Sequence, residues 1–409
     1  MKNVLALGAA ALPLLCLAGA AAVAPRDEPT YDAVIIGGGP SGLSALSGLA
    51  RVRRNVLLID SGEYRNGPTR HMHDVIGFDG VTPAYYRWAA RQQLSHYGTV
   101  SAINGTVTSV EPVPGDGGSS GAETLFRVLT TFANGTAGAV GARKVVLATG
   151  LRDLLPATPG IAENWGKGIF WCPWCDGHEH ADQALGLLAP LREAAGLVRE
   201  IATLNSDFVA LVNGTDTPAQ RAAADASFPG WERYLALHNA TVENRTIASV
   251  TRLRDGGADP ADPSLPTAPE LDRFRIDFVG GGPSVERDAF FTSFPDEQRS
   301  DVGPALGVQL WGGRLAVDPT RGLVTNVLGV YAVGDANSDN VTNVPHALFT
   351  GKRTAVYLHV QLAREEAARE LAASNGTVLA TRAAAELDPR AIWEQMNPRG
   401  LLYAGEFDQ

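Results

Sequence analysis

The run YDAVIIGGGPSGLSALSGLA, beginning at Tyr31, constrains the fold more than any other stretch of this 409-residue chain. An apolar segment over 32–36 leads directly into Gly37, Gly39 and Gly42 in GxGxxG spacing, and a small-residue stretch of helical character follows. In a strand, turn and helix the first glycine permits the turn, the second lets backbone approach a phosphate, and the third lets the helix pack on the strand. Such spacing alone is a weak signal, so its context decides. VLLID at 56–60 reads as the next strand, and Asp60 ends it 18 residues past Gly42, placed to accept a hydrogen bond from ribose hydroxyls. The expectation is a doubly wound α/β fold with a dinucleotide at its first turn.

The rest of the chain extends that plan. A loop rich in Arg, Asn, His and Gly spans 61–80, and an amphipathic helix is expected over 83–97. Alternating apolar residues at 102–110 and 125–132 predict a small antiparallel insert split by PGDGGSSGAE, and KVVLATG at 144–150 predicts a buried strand ending in glycine. LLPATPG opens a central segment with a helix over 190–203, a strand FVALV at 208–212 and a Pro/Asp-rich loop at 255–269; it closes near 289–292. GVYAVGDANSDNVTNVPHALFTGKR and its Ala-rich continuation read as strand, turn and long helix. The expected parts are a signal peptide at 1–24, one domain split between 25–152 and 291–409, and a second domain at 153–290. The tail at 388–409 is read as either a docked helix or a loose end.

MKNVLALGAAALPLLCLAGAAAVAP has one Lys, an apolar core and small residues suited to cleavage, and is short and Ala-rich for a membrane span. Seven sequons follow, at Asn104, Asn134, Asn213, Asn239, Asn244, Asn340 and Asn375, and their number favours export. The expected location is therefore outside the cell or in the secretory-pathway lumen. A formal charge of −10 argues against nucleic acid or an anionic membrane as partner, because the summed field repels both.

Of three cysteines, Cys16 falls in the leader, leaving Cys172 and Cys175 in WCPWCDGHE. Stabilising disulfides in exported proteins usually join distant loops, so a lone Cys-x-x-Cys pair reads as chemical. Zinc is the rival, with His178 and His180 nearby, but a structural site wants four ligands and no second Cys pair exists. Gly334 and Asp335 follow the strand at 330–333; the carboxylate can hold a flavin ribityl chain or simply cap a turn. Paired with the first turn, FAD is favoured over NAD.

IIGGGPSG, VVLATG, CPWCDG and YAVGDA, in this order, resemble the low-molecular-weight thioredoxin reductases, class II pyridine nucleotide-disulfide oxidoreductases, from Tyr31 to about His359. LLIDSGEYRN, HMHDVIGFDG and NVPHALFTGKR are similar to the fungal gliotoxin-oxidase-like, FAD-dependent dithiol oxidases. The resemblance implies two Rossmann-like domains and a homodimer. It implies flavin contacts from Gly37, Gly39, Pro40, Ser41, Gly42, Asp60, Gly150, Gly334, Asp335, Asn343 and Val344. Cys172 corresponds to the interchange thiol and Cys175 to the thiol beside the flavin, with Asp176 and His346 as candidates for moving protons. Asp176 could equally cap a helix, and His346 could be structural. His71 and His73 are expected to order the loop over the cofactor. Trp171 and Trp174 are read either as a substrate pocket or as packing beside the flavin, and Trp393 either as a cap over the site or, in preference, as surface packing.

One departure matters. Where the reductases carry a second glycine turn for NADPH, this chain reads LGLLAPLREAAGLVREI, with Glu193 facing the pyrophosphate position and no arginine cluster after FVALV. The resemblance without that turn implies a degenerate nucleotide site. Electrons would then come from a small-molecule dithiol and leave to molecular oxygen.

Overall fold

The structure, a computed structural model, describes residues 28–113, 125–132, 134–257 and 267–374. The expected leader, the Asn375 sequon and the tail with Trp393 lie outside the described residues.

Strands Thr30–Ile36 and Val56–Asp60 carry continuous apolar runs, 33–36 and 56–59, that are buried on both faces, as the centre of a parallel sheet requires. Val34 pairs with Leu57 on one side and with Val145 of Ala137–Leu147 on the other. Val330–Ala332 and Val100–Val113 add the flanking parallel strands. The far half of Val100–Val113, Leu125–Phe132 and the near half of Ala137–Leu147 form an antiparallel meander. The expected insert is therefore continuous with the parallel sheet, because two long strands pass from one arrangement into the other.

Pro at the first turn of helix Pro40–Ala50 costs no backbone hydrogen bond. This helix lies against the long helix Val344–Ser374, where Gly351 meets Ser41 and Ala45 and Gly48 meets Ala355. One core, including Leu43, Leu46, Val146 and Leu358, fills this face of the sheet; Leu57, Phe126, Val145 and Val330 belong to the core on the other.

The central part repeats the plan. Its parallel sheet runs Thr241–Glu243, Phe208–Leu211, Leu185–Leu188, Ala289–Thr292 and Ile169–Phe170, beside an antiparallel layer of Ile247–Arg254, Arg273–Phe278 and Val285–Arg287. Helices Leu191–Ile201 and Trp231–Leu237 contribute to one of its cores. The fold is thus α/β with two Rossmann-like units. Phe291 pairs with Leu187, so the break expected at 290 falls inside a strand of the central sheet. The two connections, Leu151–Asp153 and Asp296–Gln298, pair antiparallel as a short ribbon.

Candidate active site

The first turn is walled by backbone. A Cβ on Gly37 would lie 2.3 Å from the Ala148 carbonyl oxygen, and one on Gly42 1.9 Å from the Gly37 oxygen. Gly39 instead has nothing within 4 Å of that position and opens on a cavity that also receives Pro40, Ser41 and Gly150. Asn343 and Val344 bring the start of the long helix to the same cavity, and the Asn343 carboxamide oxygen accepts the His346 amide at 2.8 Å. The first turn of a helix offers amide donors and the positive end of its dipole. This backbone cradle, with a helix end and a carboxylate facing it, fits a flavin dinucleotide.

The carboxylate is Asp335. Burial pushes its pKa up, and Arg65 opposes the shift from 3.1 Å. Arg65 also pairs with Asp153 at 2.6 Å and Asp296 at 3.2 Å, one on each strand of the ribbon, and lies over the Trp171 ring. Asp60 is buried beneath Gly38, outside the cavity wall, where Tyr64 donates to it at 2.5 Å and Arg91 pairs with it. Gly334, with φ of 66°, packs on Ser41 and turns the chain so that Asp335 faces inward.

Cys172 and Cys175 are joined as a disulfide in a single helical turn, Pro173–Asp176. Cys175 lines the cavity and Cys172 does not, while Trp174 between them is 70% exposed. The motif therefore presents Cys175, and not Cys172, to the cavity that holds the glycine turn. Trp171 lines the cavity and stacks on Trp165 with ring centroids 5.0 Å apart, so of the two tryptophans only Trp171 packs inward. Asp176 is buried on the cavity wall with Oδ2 lacking a partner; burial, then Glu270 and Glu179, hold its carboxyl well above the usual range.

His346 is not brought to the cavity. Its imidazole turns to Asp339 at 2.7 Å and packs near Phe349, although Pro345 and Ala347 on either side do line the wall. His71 and His73 both line it, and each also faces a carboxylate of the central unit, Glu270 and Glu179 respectively. Arg65, Tyr64, Arg70, Arg91, Glu270 and Asp272 escaped the sequence reading. The density of Arg and His over 61–80 was the visible trace of Arg65 and Arg70.

At the second turn, Pro190 precedes helix Leu191–Ile201 and has no N–H to offer. The Leu191 amide donates to the Thr215 hydroxyl at 3.0 Å, and the Glu193 amide to the Pro190 carbonyl at 2.9 Å. The Glu193 side chain accepts from Ser293 and Arg192. Protein groups thus occupy the start of this helix.

Residues 31–188 match the model of the pyridine nucleotide-disulphide oxidoreductase family. A protein described as a probable thioredoxin reductase, from Arthroderma benhamiae, is 47% identical over 350 residues, covering 83% of this chain and 82% of the relative. The chain belongs to this family. Thioredoxin reductase tcpT of Claviceps purpurea is 30% identical, with 78% of this chain and 90% of the relative covered. The crystal structure of HlmI superposes with a TM-score of 0.68 at 30% identity, covering 84% of this chain and 96% of that one. The protein is accordingly a flavin-dependent oxidoreductase of the thioredoxin-reductase-like branch.

Proposed function

We propose that this protein is an FAD-dependent oxidase that converts a small-molecule dithiol into a disulfide in the secretory pathway or outside the cell. The observation that carries the reading is the second turn. With Pro190 lacking an amide, Leu191 bonded to Thr215 and Glu193 adding negative charge, the helix start offers a pyrophosphate no free cradle. Reduction from a nicotinamide nucleotide then has no built site, and electrons come through the cysteine pair.

In the proposed reaction a substrate thiolate attacks Cys172, the sulfur that does not line the cavity, and Cys175 leaves as thiolate. The second substrate thiol attacks the mixed disulfide, freeing Cys172 and releasing the cyclic or linear disulfide product. Asp176, whose carboxyl burial pushes well above the usual range, lies on the wall beside Cys175 and can give a proton to a leaving thiolate there. Bound FAD would supply the two-electron acceptor for the Cys172/Cys175 dithiol, with oxygen, taking two electrons and two protons to become hydrogen peroxide, as the final acceptor. The residues to hold it are Gly37, Gly39, Ser41, Asp335 and the helix start at Asn343 and Val344.

The test is anaerobic. Purified holoprotein is titrated with dithiothreitol, then separately with NADPH, and finally exposed to air. Loss of flavin absorbance with the dithiol but not with NADPH, peroxide on aeration, and loss of dithiol-driven bleaching in Cys172→Ser with flavin retained, is the expected result. Rapid bleaching by NADPH would return the chain to the reductase activity for which its relatives are named.

A further inference from the structure

Behind the cysteine pair, Asp176 opens onto a group of ionisable side chains that the proposed reaction otherwise leaves unused. Four buried carboxylates, Asp176, Glu179, Glu270 and Asp272, gather there; the guanidinium groups of Arg70 and Arg252 pair with Glu270 and Asp272, and Glu179 accepts from Thr267. Arg70 reaches both Glu270 and Asp272 as well as the exposed Asp255, and Arg252 pairs with Asp272 and Asp255. Such an excess of negative charge away from water is costly unless protons neutralise part of it. Two groups in the cluster also have buried atoms without partners: Asp176 Oδ2 and His180 Nε2, the latter 3.8 Å from Glu270. Burial lowers the pKa of His180, so its ring stays neutral and does not supply the missing charge. A metal cation is a poor alternative, since the arginines already take the Glu270 and Asp272 oxygens.

Histidines carry this buried group outward. Glu179 lies 3.5 Å from His73 Nε2, and the other nitrogen of the same ring lies 3.6 Å from Asp79, which is 40% exposed. Glu270 lies 3.2 Å from His71, whose side chain is 38% exposed. These separations are closed by a hydrogen bond, a small rotation or one bridging water. Imidazole can take a proton on one nitrogen and release one from the other, which suits it to transfer near neutral pH.

We infer that Asp176, Glu179 and His73, with Glu270 and His71 beside them, form a proton store and exit path for the Cys172–Cys175 pair. The inference rests on the oxidase reading and deepens it. Oxidising one dithiol releases two electrons and two protons, while reducing oxygen to hydrogen peroxide consumes two of each. Because the two halves occur at different times, the protons are either held on the protein or exchanged with solvent between them, and the cluster that begins at Asp176, on the same cavity wall as Cys175, serves both. The loop at 61–80 thereby acts in the reaction as well as covering the cavity.

The experiment uses the flavin-loaded full chain and follows anaerobic single-turnover reduction by dithiothreitol across pH, with and without added imidazole. His73→Gln is expected to slow reduction about tenfold or more, to change the pH profile, and to recover with increasing imidazole. Flavin content and the extent of reduction at equilibrium should match the parent. His71→Gln, at a more exposed position, should give a smaller loss that imidazole also restores, and it carries the test if His73→Gln fails to fold. Parent-like rates in His71→Gln and in any folded His73→Gln, with no response to imidazole, would overturn the path while leaving the oxidase reading intact. A parent protein that dithiothreitol does not reduce would remove both.

Discussion

Asp176 is the residue at which the chemistry and the stability of this protein meet. Its carboxyl is more easily protonated in the folded chain than in the unfolded one, because burial and the neighbouring Glu270 and Glu179 disfavour the anion. The folded state therefore holds more protons than the unfolded state between the ordinary carboxyl pKa and the raised one, and stability falls as pH rises across that window. Asp176→Asn removes the dependence. The variant is expected to exceed the parent by about 1–3 kcal/mol at mildly alkaline pH, with the gain shrinking towards pH 3.8, the ordinary value; urea unfolding at several pH values measures it. An unchanged difference across pH would mean that the carboxyl is solvated. At this scale the cysteine pair was legible in the sequence because its two members are neighbours along the chain. His346 was not: successive helical residues point about 100° apart, so it can sit between two wall residues and still face Asp339.

Among elements, the contact between Pro40–Ala50 and Val344–Ser374 sets the cavity, since the first helix follows the glycine turn and the second opens at Asn343. Gly351 allows the approach: a Cβ there would lie 2.1 Å from the Ser41 carbonyl oxygen. Gly351→Ala is expected to lose about 1–3 kcal/mol through overpacking and to weaken flavin retention, read by thermal melting and by the flavin content of the purified variant. Parent-like values for both would show that the helices can part without disturbing the site. These helices and the strands around them announce themselves through continuous apolar runs and glycine punctuation. The antiparallel layer of the central unit is harder to see, because Ile247–Arg254 and Arg273–Phe278 mix arginines into half-exposed strands that resemble loops. The alternation in RFRIDF, with Phe274, Ile276 and Phe278 buried, was the available signal.

For the molecule as a whole, the two units are held together by charge as much as by the ribbon. Arg70 reaches from the first unit into Glu270 and Asp272 of the second. Replacing it with alanine leaves Glu270 with weaker compensation and Asp272 dependent on Arg252, a loss expected to cost about 3 kcal/mol or more. Hydrogen exchange should quicken over 61–80 and around Glu270 in Arg70→Ala while staying slow in Pro40–Ala50. Unchanged exchange in the loop would show that the clamp contributes little. Such contacts stay hidden in a sequence because the partners lie some two hundred positions apart, and nothing in local periodicity records which arginine meets which acid. The pairing of Leu151–Asp153 with Asp296–Gln298 has a consequence of another kind. It brings the two ends of the central unit side by side, the geometry under which one domain is inserted into another with little disturbance. In genetic terms, the unit that bears the disulfide is a cassette whose two junctions lie side by side, and its exchange between relatives would have to carry along the partners of Arg70.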